Sequence, residues 1–207
     1  MFARPFAFIA AALAATAAPM ASAQNFSEGY TFLKAVRDAD GNKVTSIVNE
    51  PGQRIINTTD PNTGDGALHI VTRRSDAAYL QFLLAKGADP NIRNHAGETP
   101  ALIAVQTAFV RGLELLSAAN ANFNLADRSG QTPLILAVQM KTVPVPVRLK
   151  MIDILMKGGA DPNQTDNIAG LSARDYAARE TRSPALLEAI EKGPDKGDDA
   201  KVYGPQF

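Results

Sequence analysis

Short apolar blocks recur along this chain, each cut off by a few polar residues. Pro100 is followed by Ala101-Leu102-Ile103-Ala104-Val105, and Pro133 by the closely similar Leu134-Ile135-Leu136-Ala137-Val138. Each block is followed, after a break, by a second apolar pattern. It falls on Tyr79, Leu80, Leu83 and Leu84, then on Leu113 and Leu116, then on Ile152, Leu155 and Met156. The spacing i, i+1, i+4, i+5 draws one stripe along a helix. The pattern therefore predicts pairs of short helices. A less regular opening block keeps the rhythm at Phe32, Leu33, Val36, Val44, Ile47 and Val48.

Punctuation between the blocks is periodic. Gly-Ala-Asp-Pro-Asn stands at residues 87–91 and again at 159–163, and Ala-Asn-Ala-Asn-Phe-Asn takes its place at 119–124. The closing asparagines Asn57, Asn91, Asn124 and Asn163 are 34, 33 and 39 residues apart. Gly29, Gly64, Gly97, Gly130 and Gly170 keep an independent count of 35, 33, 33 and 40. Two markers sharing one period mean a repeat architecture. Thr99-Pro100 and Thr132-Pro133 each set an N-cap before a proline at the first helical position, where no N–H is needed. Gly66-Ala67 stands there in the second unit and predicts a weaker cap. Gly87, Gly159 and Asn120 fall where a helix ends in the left-handed conformation.

With G-x-T-P, two short helices and G-A-D-x-N at this period, residues 27–191 resemble the ankyrin repeat family. The resemblance implies an all-α solenoid of about five helix-turn-helix units, joined by β-turn or hairpin loops. The units run over about 27–59, 60–93, 94–126, 127–165 and 166–191, within a domain spanning 24–191. The last, opening Gly170-Leu171-Ser172-Ala173-Arg174-Asp175, is polar enough to cap the stack. His69 holds a position where the family often has histidine bonded to nearby backbone, and His95 is expected at a solvated turn tip. The fourth unit has about six extra residues around Lys141 to Pro146. Its closely spaced prolines predict a lengthened loop at 143–147. Residues 192–207, rich in Gly, Pro and charge, predict a disordered tail.

The first residues change the expected compartment. A positive Met-Phe-Ala-Arg start, an apolar run over 6–18 and Ala21-Ser22-Ala23 before Gln24 form the pattern of a secretory signal peptide over 1–23. The run is too short to span a bilayer. Cleavage is expected after Ala23, leaving a periplasmic or secreted protein without stable membrane insertion. The alanine-rich texture suggests a bacterial one.

Composition then removes chemistry. With 21 basic and 21 acidic residues there is no cationic surplus for phosphates, so no nucleic-acid partner is expected. Cysteine is absent. Asp38, Asp40, Gly41 and Asn42 lack the glycine and glutamate order of a calcium loop. Two histidines at different repeat positions do not make a zinc site. No nucleophile or acid–base pair stands out, so the reading is non-enzymatic, with no cofactor, no metal and no catalytic residue.

The family resemblance implies binding of another protein, through a concave face built from the turns and the first helices. By its pattern the turns expose Asn62, Thr63, Asp65, His95, Glu98, Arg128, Ser129 and Gln131. The ends of the first helices expose Arg73, Arg74, Gln106, Thr107, Gln139 and Met140. Arg and Met suit interface cores, and reversing both arginines is expected to leave folding almost untouched. The expected role is a monomeric periplasmic module that stabilises, assists or inhibits an exported partner. The alternative is a secreted effector acting on a host protein.

Overall fold

The computed structural model of the chain describes residues 18–50 and 55–193. Among them are ten α-helices, α1 Ala18–Arg37, α2 Gly41–Val48, α3 Ala67–Arg73, α4 Ala77–Ala85, α5 Pro100–Gln106, α6 Val110–Ala118, α7 Pro133–Gln139, α8 Val145–Lys157, α9 Ala173–Arg179 and α10 Pro184–Lys192. The odd-numbered helices pack on one another in chain order, α1 on α3, α3 on α5, α5 on α7 and α7 on α9. The second helices do the same, α4 on α6, α6 on α8 and α8 on α10. The result is a two-row, all-α solenoid. Its hairpin loops keep only isolated bridges among the described residues, Thr59 to Gly66 and Thr165 to Ser172.

The capping chemistry is seen directly. The Thr99 hydroxyl accepts from the Leu102 N–H at 3.4 Å, and Thr132 accepts from Ile135 at 3.2 Å. At the weaker start of α3 the imidazole takes over. The Gly66 N–H donates to His69 Nδ1 at 3.0 Å. Ser172 and Asp175 cap α9 reciprocally. At the helix ends Gly87, Gly159 and Asn120 have φ of 87°, 84° and 57°, the left-handed values that Gly and Asn tolerate. Gly158 is required for another reason: a Cβ there would lie 2.3 Å from the buried ring of Phe123.

Leu80, Leu83, Leu113, Leu116, Ile152 and Leu155 are all fully buried between the rows. Tyr79, Leu84 and Met156 flank this core half-buried. In the first unit Phe32, Leu33, Val36 and Val44 are buried, while Ile47 and Val48 only lean on the core.

One expectation meets the structure differently, and two fall mostly on residues outside those described. The prolines of the fourth unit do not make a loop over 143–147. Val145, Pro146 and Val147 form the first turn of α8, preceded by Pro144 at the N-cap. A first-turn proline loses no intrahelical hydrogen bond, so it does not break the helix. The extra residues therefore mostly lengthen a helix, which reaches thirteen residues against nine in α4 and α6. The rest lengthen the connection before it, 140–144 where the earlier units have 74–76 and 107–109. The apolar part of the expected signal at 1–17 lies outside the described residues, and the expected cleavage point after Ala23 falls inside α1. The expected tail begins as the last residue of α10, and residues 194–207 lie outside the described residues.

Candidate partner-binding face

Each turn between units starts with a short acidic or amide side chain. Asp60, Asn94, Asp127 and Asp166 fold back to accept backbone N–H groups of their own turn. Asp60 takes those of Asn62 and Thr63, Asn94 those of Ala96 and Glu98. Asp127 takes those of Ser129 and Gln131, and Asp166 those of Ile168, Ala169 and Gly170. These residues repeat at nearly the period of the glycines, a signal the sequence reading passed over. The backbone N–H of Asn62, then Arg37, hold the Asp60 carboxyl below its ordinary pKa. The hydroxyl of Tyr176, then backbone N–H groups, do the same for Asp166.

Neighbouring turns are stitched tip to tip. The His95 N–H donates to the Thr63 carbonyl at 2.9 Å, Arg128 to Ala96 at 3.4 Å and Asn167 to Ser129 at 2.9 Å. His95 is thus more than a solvated tip. Its Nδ1 also lies 3.0 Å from the Asn62 carbonyl.

A second register ties the first three of these turns to the end of the first helix of the same unit, eight residues on. Arg73 Nη1 donates to Asp65 Oδ2 at 2.7 Å, Gln106 Nε2 to Glu98 Oε1 at 2.8 Å and Gln131 Nε2 to Gln139 Oε1 at 3.2 Å. Asn94 Nδ2 joins the first two by donating to Asp65 at 3.0 Å and to Glu98 at 2.9 Å. Arg73 also reaches to 3.9 Å from Glu98. Burial raises the Asp65 pKa, but Arg73 and Asn94 outweigh it and the net shift is downward. The turns and first helices therefore share one polar, cross-linked face.

The structure brings Asn62, Thr63, Asp65, Arg73, His95, Glu98, Gln106, Arg128, Ser129, Gln131 and Gln139 to that face. Three expected residues are differently engaged. Arg74 turns to the first unit, donating to the Val36 carbonyl at 3.1 Å and to Asp76 at 3.0 Å, with its guanidinium over the Tyr79 ring. The Thr107 hydroxyl donates back to the Ile103 carbonyl of its own helix at 2.9 Å. Met140 packs half-buried against the core. Conversely, Ile168 was missed. It sits at the tip of the last turn with 71% of its surface exposed, and its position two residues after Asp166 matches Ala96 and Ser129.

Buried His69 is a strut beside this face. Its Nδ1 accepts from Gly66, so Nε2 carries the proton and donates to the Glu98 carbonyl at 3.0 Å. Burial lowers its pKa and keeps the imidazole neutral. Among the described residues no cluster of three or more His, Asp or Glu could hold a metal ion, and no helix is long and apolar enough to cross a membrane.

Residues 68–166 match the family of ankyrin repeats, in three copies. A stretch of 52 residues, 25% of this chain, is 40% identical to the nuclear factor NF-kappa-B p110 subunit of Drosophila melanogaster. That stretch spans 5% of the length of this curated relative.

Proposed function

The chain belongs to the ankyrin repeat family, whose members are generally protein–protein interaction modules, and on that premise we propose that it binds an exported partner in the periplasm. It does so as a monomer, without nucleic acid and without chemistry of its own, and stabilises, assists or inhibits the partner. Support for the compartment is the signal-like sequence over 1–23. The observation that carries the binding face is the tip-to-tip stitching of successive turns. It fixes His95, Arg128 and Asn167, and with Asn167 its neighbour Ile168, along one edge before any partner arrives, so little conformational entropy is lost on association. Ile168 supplies the exposed apolar anchor and Arg128, without an ion-pair partner among the described residues, an available charge.

The test is photo-crosslinking in the native host, with a benzophenone amino acid in place of Ile168, Arg128 or Lys150. Lys150, on α8, is exposed and pairs with Glu114 of α6 in the second row of helices. Adducts to one protein from Ile168 and Arg128, but not from Lys150, support the reading. Capture from Lys150 alone places the interface on the other side. The recovered chain should start at Gln24; a start at Met1 in a cytoplasmic fraction overturns the compartment.

A further inference from the structure

A cleft opens beside the lengthened fourth unit. Of about 290 Å³, it lies between the α7–α8 connection and the α9–α10 connection. Lys141, Arg148 and Arg182 line it together with Glu180, Thr142 and Ser183. The chain as a whole is neutral, yet this cleft gathers three cations against one carboxylate.

Arg148 is the unusual member. It is 98% removed from solvent by fractional exposure of 2%, on the helix that the extra residues built. Nε donates to the Ala137 carbonyl at 3.2 Å and Nη2 to the Val138 carbonyl, so the guanidinium closes the end of α7. Nη1 has no hydrogen-bond partner among the described residues, and no carboxylate lies within ion-pair distance. Glu180 is held by Lys141 at 3.6 Å instead. A buried guanidinium with Nη1 spare, and with Glu180 acting on it only from beyond ion-pair distance, favours an anion beside it.

Two helix starts reinforce the field. α8 begins behind Pro144 and α10 behind Ser183, and neither N-cap side chain bonds to its helix. Both caps line the cleft, where the positive ends of the two helices add to the side-chain charge. We propose that this cleft is a binding site for a compact oxyanion, a carboxylate or a phosphate, held by Arg148 and Arg182 with the Ser183 and Thr142 hydroxyls as further donors. The oxyanion comes either as a free small molecule or as an acidic side chain of a bound protein. The site is separate from the turn tips, so it stands or falls independently of the partner-binding reading.

The test is a titration of the purified full chain at constant ionic strength, followed by the amide resonances and the Arg148 Nε–H signal. The probes are inorganic phosphate and a blocked Gly-Asp-Gly peptide, with chloride as the control. Saturable shifts at Thr142, Arg148 and Ser183 are expected with at least one probe. Arg182→Gln, an exposed change that spares the buried guanidinium, should weaken that binding by about tenfold. Glu180→Gln, which removes the internal competitor, should tighten it by about threefold. Tighter binding of phosphate identifies a free anion, and tighter binding of the peptide identifies a protein side chain. Shifts that never saturate, that chloride reproduces, or that are unchanged in folded Arg182→Gln overturn the proposal.

Discussion

The closing asparagines of the first three units reach forward to the next, and cutting that link tests the solenoid at its joints. Asn57 Oδ1 accepts the Asp89 N–H at 2.8 Å, Asn91 Oδ1 that of Asn122 at 2.7 Å and Asn124 Oδ1 that of Asp161 at 2.7 Å. Asn124 adds a second link, donating from Nδ2 to the Gly159 carbonyl at 3.0 Å. Asn163 holds the same place in its motif, but its side chain has no partner among the described residues. Change each to alanine. The freed N–H groups lie near solvent and can turn to water, so Asn91→Ala should cost about 1 kcal/mol and Asn124→Ala about 2 kcal/mol. Asn163→Ala carries the same change in local chain preference and no lost junction, so it should cost about 0 kcal/mol. The assay is urea unfolding followed by circular dichroism, with a thermal melt in which about 1 kcal/mol moves the midpoint by some 2–4 °C. The order Asn124, Asn91, Asn163 is the prediction. Equal losses at all three, or none at Asn124, would refute the forward links.

Arg74→Ala should lower stability by about 1–2 kcal/mol, since it strips the bonds to the Val36 carbonyl and Asp76 that clasp the first unit to the second; an unchanged melt would show those contacts to be idle. Arg73→Glu should also destabilise, by about 1 kcal/mol, because it sets a third carboxylate beside Asp65 and Glu98; a melt equal to the native one contradicts the network. His69 gives a pH signature. Its folded pKa is lowered from 6.5, so the unfolded chain takes up the proton first on acidification, and stability is full above that value and declines below it. Urea midpoints should therefore fall between about pH 7 and pH 5.5, and the slope should flatten in His69→Gln; a parallel fall in both proteins would contradict a buried neutral imidazole.

Most of the scaffold was legible because its rules are local. A threonine before a proline, a glycine or asparagine at a helix end, and a stripe of leucines each state their role within a few residues, and all of them agree. Asn120, with a positive φ where its counterparts are glycine, shows how far such rules reach. What was hidden depends on neighbours distant in sequence. Arg73 and Arg74 are adjacent and alike on paper. One ends in a network on the expected face, the other against α1, thirty-seven and thirty-eight residues back. The reach of Met140 into the core and the burial of Arg148 under the turns are likewise decided by packing. Pro146 misled for a different reason, since a proline two residues from a helix start and one in a loop look the same until the N-cap is known. Ile168 could have been found by extending the tip positions into the last unit.

The central claim is that the stitched turn tips are the surface that meets another protein. The most direct measurement is the affinity of the crosslinked partner, once purified, for the native chain and for the double variant Arg128→Glu, Ile168→Asp. Both side chains are exposed, and neither makes a hydrogen bond or ion pair among the described residues, so the melt should be nearly unchanged. Binding should weaken by about 2–4 kcal/mol, as for the loss of an anchor and an opposed charge at an interface centre. Full affinity in a double variant that melts with the native chain would contradict the claim.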